Sequence, residues 1–140
     1  MMVARFRDTY TELEEKRSAE SKLSLRDLVT LASLVEKETG KADERRIVAA
    51  GYRNRLTRNM PMQADPTVVY ALVKAGTYDG KIRRRDVTFD SPYNTYKYRG
   101  LPPGPIASPG RAALAAALAP ADVNYLYFLT RNDGFHAFAE

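Results

Sequence analysis

The chain has 140 residues and a net charge of +5, and 44% of its residues are hydrophobic. This length and composition predict a single soluble globular domain with a sizeable core. The chain has no cysteine, which excludes disulfides, thiolate-bound zinc and thiol catalysis. No apolar run approaches the roughly 20 residues of a membrane-spanning helix, and the N-terminus does not resemble a signal peptide.

The first part of the chain is predicted to be a helical extension over residues 1–24, followed by the main domain over residues 25–140. Phe6, Tyr10 and Leu13 recur at helical spacing in a segment rich in Glu, Lys and Arg. This pattern is typical of a solvated helix that packs by one thin apolar stripe.

A core helix is predicted from about residue 25 to 39, and it carries two informative carboxyl groups, Glu36 and Glu38. At about 100° per residue both fall within its apolar arc, whereas Thr30 and Ser33 lie on the opposite polar face. A carboxyl group on an apolar surface must be paired, hydrogen-bonded or protonated, and a protonated one can act as a general acid. Periodicity does not choose between the two glutamates, and either could instead pair with an arginine or cap a neighbouring helix.

The segments after the core helix alternate between helices and loops. Asp43 is predicted to cap a helix whose apolar residues recur over 47–56, and Pro66 is placed near the first turn of a helix over residues 67–73. Residues 88–110 contain five prolines and several aromatic residues. Because proline lacks a backbone donor, this stretch is predicted to be a long ordered loop or a linker, and its aromatic residues indicate a packed wall or a binding surface.

The C-terminal part of the chain predicts a helix and a hairpin. Residues 111–118 are alanine-rich, and alternating apolar residues over 125–130 and 135–138 flank an Asn-Asp-Gly turn at 132–134. The fold class is therefore predicted to be α+β, mostly helical and closed by a C-terminal β-hairpin.

Two groups of polar residues could meet the carboxyl groups of the core helix. The amide of Gln63 can both donate to and accept from sugar hydroxyl and acetamido groups, whereas Asp65 is expected to cap the helix that follows it. Tyr93, Asn94 and Tyr96 lie between prolines. They predict either an Asx turn with packing tyrosines or an aromatic and amide wall for a carbohydrate.

The chemistry left open to this chain is that of carboxylates with amide and tyrosine support. The chain has one histidine, His136, and no spacing of His, Asp and Glu that argues for a metal site, so no metal or other cofactor is expected. It also has no Gly-rich phosphate loop and no nucleophile elbow. Carboxylate chemistry of this kind points to glycosidic bonds, where an acid protonates the leaving oxygen.

Several motifs of the chain occur in the order and spacing of a known family. They are Leu31–Gly40, Glu44-Arg45, Asn54-Arg55-Leu56, Met62–Tyr70, Tyr93–Tyr96, Gly100–Gly110 and Tyr125–Phe128. Together they resemble the catalytic domain of the MltG (YceG-like) endolytic murein transglycosylases over roughly residues 25–138. Any one motif is weak, whereas the set in register is highly specific.

The resemblance implies an activity and a site. Family members cleave the MurNAc–GlcNAc bond within nascent peptidoglycan strands without water, and they leave a 1,6-anhydro-MurNAc end. Their catalytic glutamate matches Glu38, which would be the single acid and base, and Glu36 becomes a supporting residue. A looser similarity to lysozyme-like transglycosylases implies a lysozyme-like helical core whose cleft is lined by Gln63, Tyr93 and Asn94. Two further residues are candidates for holding the sugar: Asp65 and Tyr96.

The resemblance also implies a longer parent protein. Family members usually begin with a membrane anchor and a LysM-like domain, and they continue for some tens of residues past the region of His136, so a C-terminal tail is expected to be missing here. The parent is expected at the extracytoplasmic face of the bacterial cytoplasmic membrane, held there by the missing anchor. Its expected partners are peptidoglycan glycan strands and cell-wall synthases (penicillin-binding proteins).

Three other functions compete with transglycosylation. A non-catalytic glycan-binding module that positions cell-wall synthases would use the same loop aromatics. An aminodeoxychorismate lyase, a label that the family has carried, would need pyridoxal phosphate on a lysine, and Lys37 lies on the polar helix face, a poor place for a Schiff base. Nucleic-acid binding ranks last, because it rests only on the basic charge and on Arg83-Arg84-Arg85, a cluster typical of a solvated turn.

Overall fold

The computed structural model describes residues 23–130 and 136–139, and it shows a helical core followed by a small antiparallel sheet. The helices are α1 (Leu25–Glu38), α2 (Arg45–Thr57), α3 (Asp65–Lys74) and α4 (Arg111–Leu118), with 3-10 turns at Ala42–Glu44 and Arg84–Thr88. The strands are β1 (Tyr127–Thr130) and β2 (His136–Ala139), with Phe128 opposite Phe138. The predicted α+β class with a C-terminal hairpin is confirmed. Almost all of the predicted extension over 1–24, and the turn at 132–134, lie outside the described residues.

Helix α1 begins at a side-chain cap and ends where the backbone becomes extended. The Ser24 hydroxyl accepts from the backbone N–H of Asp27 at 3.2 Å, which satisfies one of the free donors of the first turn. The helix ends at Glu38 because Thr39 is extended, with φ −144° and ψ 139°. The side chain of Glu38 is therefore carried by a rigid element at its last residue.

Helix α1 lies at the centre of the domain and is covered on both faces. Leu28 and Leu34 are 1% and 0% exposed, and each leucine buried in this way stabilises the fold by roughly 1.5–3 kcal/mol. Thr30 and Ser33, predicted on a polar face, are also buried, so that expectation was wrong. The physical reason is the proline-rich loop, which folds over this face so that the N–H of Ile106 donates to Ser33 Oγ at 3.1 Å.

Small side chains let α1, α2 and α4 pack closely around this core. The alanines at the contact are at most 1% exposed: Ala32, Ala49, Ala113, Ala116 and Ala117. Alanine also has the highest intrinsic helix propensity, so the local preference of α4 agrees with its tertiary packing. The lysozyme-like character of this helical core stays a prediction.

Helix α2 joins the core to the hairpin. A Cβ added at Gly51 would lie 3.3 Å from the ring of Phe128, so a larger residue there would push helix and hairpin apart. The side-chain amide of Asn54 donates to the carbonyl oxygens of Val123 and Tyr125 at 2.9 Å each. These contacts fix the chain that enters β1 against the helix.

Neither aspartate that was predicted to cap a helix does so. Asp43 lies within the 3-10 turn before α2, and α2 has no side-chain cap hydrogen bond. Asp65 is the first residue of α3, and the N-cap residue of α3 is Ala64, which cannot accept through its side chain. The carboxyl group of Asp65 is consequently available for a contact outside its own helix.

The proline-rich stretch between α3 and α4 is an ordered loop held by one asparagine. Asn94 is 0% exposed. Its Nδ2 donates to the carbonyl oxygens of Val87 and Phe89 at 3.0 and 2.8 Å, and its Oδ1 accepts from the N–H of Tyr96 at 3.0 Å. A buried amide whose groups are all satisfied fixes the course of the backbone around it. Within residues 23–130 and 136–139, no helix has the length and apolar character needed to cross a membrane.

Candidate functional site

Glu38, the last residue of α1, faces a tyrosine of α2. The Tyr52 hydroxyl donates to Glu38 Oε2 at 3.1 Å, and Glu38 is half-buried whereas Tyr52 is 1% exposed. The pKa of Tyr52 is raised well above its ordinary value, first by burial and then by the negative charge and the hydrogen bond of Glu38. Tyr52 therefore stays protonated and remains a donor to the carboxyl group.

A second pair of a carboxyl group and a phenol lies beside the first. The Tyr96 hydroxyl donates to Asp65 Oδ1, which joins the proline-rich loop to the start of α3. Burial, followed by the hydrogen bond and the charge of Asp65, raises the pKa of Tyr96 above its ordinary value. The charge of Glu38 raises the pKa of Tyr96 further, and that of Asp65 also raises the pKa of Tyr52. The two pairs therefore share one electrostatic neighbourhood.

A buried arginine organises the turn that presents Gln63. Arg55 is 7% exposed, and its Nε donates to the carbonyl oxygen of Leu126 at 2.7 Å while Nη1 donates to that of Pro61 at 2.9 Å. The same Nη1 donates to Gln63 Oε1 at 3.3 Å. Gln63 is exposed and has a φ of +49°, an uncommon conformation for a residue with a side chain. Such a conformation persists only where surrounding contacts stabilise it, and the hydrogen bond from Arg55 is one of these contacts.

These contacts bring most of the predicted site residues to one place. The positive charge of Arg55 lowers the pKa of both phenols, Tyr52 and Tyr96, and so partly offsets the two carboxyl groups. We refer to this group as the Glu38 cluster, with the members Glu38, Tyr52, Arg55, Gln63, Asp65 and Tyr96. Its chemistry is that of a half-buried carboxyl group with a second carboxyl, an exposed amide and phenols nearby.

Tyr93 and Asn94 have other neighbours, on α3 for Tyr93 and within the proline-rich loop for Asn94. The ring of Tyr93 packs on Tyr70 with centroids 4.7 Å apart, and Lys74 Nζ lies 5.0 Å from the centroid of Tyr93. Tyr93 thus lies beside the C-terminal half of α3, whereas Asp65 begins that helix. The predicted direct sugar contact of Asn94 does not fit its placement, because the side chain is buried and its amide is used by the loop.

Glu36 has a different neighbour from Glu38. Its Oε1 accepts from the N–H of Gly110 at 2.6 Å, at the N-cap position of α4. The free N–H groups and the dipole of a helix N-terminus favour a negative carboxylate there. A Cβ added at Gly110 would lie 3.0 Å from the same oxygen, so glycine permits this close contact. Capping of a neighbouring helix, one of the open alternatives for the two glutamates, is therefore what Glu36 does.

Sequence reasoning missed Tyr52 and Arg55. Both lie on the buried face of α2, where they are 1% and 7% exposed. A buried phenol or guanidinium requires hydrogen-bond partners, so each of these residues signalled a polar neighbour within the core. The helical spacing of Val48 and Leu56 places Tyr52 and Arg55 near the same buried face, but it does not identify their hydrogen-bond partners.

A cavity of about 330 Å³ lies elsewhere, between the start of α2 and α4. Its walls are Arg45, Arg46, Leu118 and several alanines, and none of the predicted site residues is among its lining residues. Among residues 23–130 and 136–139, no group of three or more His, Cys, Asp or Glu side chains is arranged to hold a metal ion.

The fold and the Glu38 cluster define a class of protein, an α+β domain with a carboxyl-based site at the end of its central helix. The model of the YceG-like family matches residues 1–140, and the chain belongs to this family. The resemblance inferred from the sequence motifs is thereby confirmed.

Solved and curated relatives agree with this family. A crystal structure of a yceG-like protein from Listeria monocytogenes superposes with a TM-score of 0.78 at 40% identity, covering 98% of this chain and 41% of that one. A protein of Bacillus subtilis (strain 168), named endolytic murein transglycosylase, is 42% identical over 127 residues, which are 91% of this chain and 34% of that protein. A Streptococcus pneumoniae (strain D39) protein of the same name is 40% identical over 112 residues, 76% of this chain and 20% of that protein. The chain thus spans 34% and 20% of the length of these two curated relatives.

Proposed function

We propose that this domain is the catalytic part of an endolytic peptidoglycan lytic transglycosylase with Glu38 as its single acid and base. It cleaves the MurNAc–GlcNAc bond of nascent glycan strands and leaves 1,6-anhydro-MurNAc ends. The observation that carries the proposal is the placement of Glu38, half-buried, hydrogen-bonded to Tyr52 and within the electrostatic reach of Tyr96. The names of the Bacillus and Streptococcus relatives support the class of activity.

The reaction needs one proton shuttle and no water. Protonated Glu38 gives its proton to the glycosidic oxygen as the bond from that oxygen to C1 of MurNAc breaks, and an oxocarbenium-like centre forms at C1. The C6 hydroxyl oxygen of the same sugar then bonds to C1, and its proton returns to the Glu38 carboxylate. Because the C6 hydroxyl is tethered to the reacting centre, ring closure is favoured by proximity.

The other residues of the site are assigned by what they offer a sugar. The exposed amide of Gln63 donates to and accepts from hydroxyl and acetamido groups. The pair of Asp65 and Tyr96 forms a polar wall next to Glu38, and Tyr93 provides an aromatic surface farther along α3. Asn94 acts indirectly, because it holds the loop that carries both tyrosines.

The same proposal extends to the protein of which this domain is a part. Its substrate lies outside the cytoplasm, so the full-length protein acts at the extracytoplasmic face of the bacterial cytoplasmic membrane. An anchor outside residues 25–140 holds it there, close to the penicillin-binding synthases that produce nascent strands. In this proposal residues 25–140 form the catalytic unit, and residues 1–24 precede it.

The test is mass spectrometry of the products that the chain releases from an uncross-linked muropeptide polymer. The unaltered chain is expected to give 1,6-anhydro ends, and Glu38→Gln is expected to give none above background. Glu36→Gln is the matched control, since it changes a carboxyl group of the same helix that contacts Gly110.

Each outcome of this test decides something. Equal anhydro product from Glu38→Gln and the unaltered chain would refute the assignment of Glu38. Reducing ends without the anhydro ring would indicate hydrolysis. Binding of the polymer without any product, in both the unaltered chain and the full-length protein, would make the domain a non-catalytic glycan-binding module.

A further inference from the structure

We propose that Tyr52 is a positioning residue for Glu38, which fixes one carboxyl oxygen and stabilises the ionised form that appears after proton donation. The inference rests on the proposed function, because it concerns the proton that Glu38 shuttles. It concerns a residue buried in the helical core that touches no substrate.

The position of the Tyr52 hydroxyl is fixed by packing on the rest of its ring. Tyr52 is 1% exposed and lies on α2, which packs directly against α1. The ring of Phe128 meets the ring of Tyr52 edge to face, with centroids 5.3 Å apart. The phenol is therefore held in place before any substrate binds, and its hydroxyl lies 3.1 Å from Glu38 Oε2.

The charged and titratable groups around this contact keep the Tyr52 phenol protonated, so that it is the donor. The groups that act on Tyr52 are Glu38 of α1, Arg55 of α2 and Asp65 of α3. Burial and the two carboxyl groups oppose loss of the phenol proton, and only Arg55 favours it. The hydroxyl of Tyr96, the other phenol near Glu38, is engaged by Asp65. Tyr52 is thus the phenol that donates to Glu38.

The direction of the effect on catalysis follows from hydrogen-bond strength. A hydrogen bond to an ionised acceptor is roughly twice as strong as one to a neutral acceptor. The Tyr52 hydroxyl therefore stabilises the carboxylate of Glu38 more than its protonated form. Donation of the proton to the glycosidic oxygen becomes easier, and the carboxylate then persists until it takes the proton of the C6 hydroxyl.

Removal of the hydroxyl has a predictable sign. In Tyr52→Phe the carboxylate loses this donor, so the pKa of Glu38 is expected to rise. Because the enzyme needs protonated Glu38 to begin the reaction, the loss of activity at high pH is expected to move upward by the same amount. At low pH, where Glu38 is protonated in both chains, the kcat is expected to fall about tenfold, since a hydrogen bond to a charged group is lost. The KM is expected to stay unchanged because Tyr52 is buried.

The experiment measures the titration of the Glu38 carboxyl carbon by NMR in the free chain, with and without Tyr52→Phe, together with the pH profile of anhydro product formation. The control is Tyr96→Phe, which removes the other phenol hydroxyl near Glu38, one that donates to Asp65. It is expected to leave the Glu38 titration where it was. An equal titration midpoint in the unaltered chain and in Tyr52→Phe overturns the inference, and so does an equal shift in Tyr96→Phe.

A second measurement serves if Tyr52→Phe does not fold. In the unaltered chain, the Cζ resonance of labelled Tyr52 is expected to shift at the titration midpoint of Glu38, and this step is expected to vanish in Glu38→Gln. Absence of the step overturns the inference. The two proposals also fail separately: an active Glu38→Gln refutes the proposed function, whereas the free-chain titrations decide the contact between Tyr52 and Glu38.

Discussion

Two glutamates at the end of α1 are separated by one residue, yet they lie in different regions of the molecule. Glu36 bonds to a main-chain N–H at the start of α4, whereas Glu38 bonds to the phenol of Tyr52. A main-chain contact fixes the path of the backbone. A contact with another side chain fixes the position and proton affinity of a chemical group. The residue type is the same in both places, so the surroundings decide the role.

The proline-rich loop repeats this contrast at the same spacing. Asn94 bonds to the carbonyl oxygens of its own loop, and Tyr96 bonds to Asp65 at the start of α3. In each pair the first residue holds structure and the second lies in the Glu38 cluster. In both the helix and the loop, one residue fixes the backbone and a residue two positions later contributes its side chain to the Glu38 cluster.

The largest effect expected to separate Glu38 from Glu36 comes from shortening the Glu38 side chain. Glu38→Asp keeps the charge but moves the carboxyl group by about one methylene, away from the Tyr52 hydroxyl. A displacement of about 1 Å costs roughly a hundredfold in rate, so turnover of glycan strands is expected to fall by about that factor. Turnover measured beside Glu36→Asp, which is expected to retain its activity, checks the result. Equal losses in both variants would break the comparison.

The next effect is the loss of structure in Asn94→Ala. The substitution leaves the carbonyl oxygens of Val87 and Phe89 and the N–H of Tyr96 without their buried partner. Destabilisation by about 2 kcal/mol is expected, since each net hydrogen bond contributes about 0.5–1.5 kcal/mol. Urea unfolding measures it. Asn94→Asp keeps the acceptor for Tyr96 and loses the donors, and a variant as stable as the unaltered chain would place Asn94 outside the loop framework.

Tyr96→Phe is expected to have a smaller effect, on substrate affinity. The ring stays in place, and only the hydroxyl that donates to Asp65 is removed. Without this bond the carboxyl group of Asp65 is less well positioned before substrate binds, and ordering it on binding costs about 1 kcal/mol, so KM is expected to rise about fivefold. Steady-state kinetics with a soluble glycan chain measures the change. A large loss of stability with an unchanged KM would make Tyr96 a structural residue like Asn94.

The smallest effect is expected for Glu36→Gln. The amide still accepts from the N–H of Gly110, but the negative charge at the N-terminus of α4 is lost. Interaction of a charge with a helix terminus contributes about 0.3–1 kcal/mol, so the melting temperature is expected to fall slightly. The salt dependence of the melting temperature checks the cause, because screening should reduce the difference between Glu36→Gln and the unaltered chain.

Local signals in the sequence were sufficient for the main elements. The periodicity of α1, the alanine-rich run of α4 and the alternation before the Asn-Asp-Gly turn each predict an element that the structure contains. These signals act within a few residues, so they need no knowledge of the fold. Periodicity failed at Thr30 and Ser33, because a loop distant in sequence covers that face of α1.

Most residues of the Glu38 cluster were singled out from the sequence, but their contacts were not. Residue chemistry and the motif resemblance together led to Glu38, Gln63, Asp65 and Tyr96, which lie together in the structure and whose roles stay a prediction. The partners Tyr52 and Arg55 were not found, because a helical wheel shows that a side chain is buried and not what it meets. The cap formed by Glu36 needed the position of Gly110, which lies far along the chain.

One guanidinium joins two distant parts of the domain. Arg55 Nε donates to Leu126, next to β1, and Arg55 Nη1 donates to Pro61 and Gln63. Any displacement of the hairpin relative to α2 therefore strains the same planar group that supports the turn at Gln63. A load applied to the C-terminal strands reaches Gln63 through the side chain of Arg55.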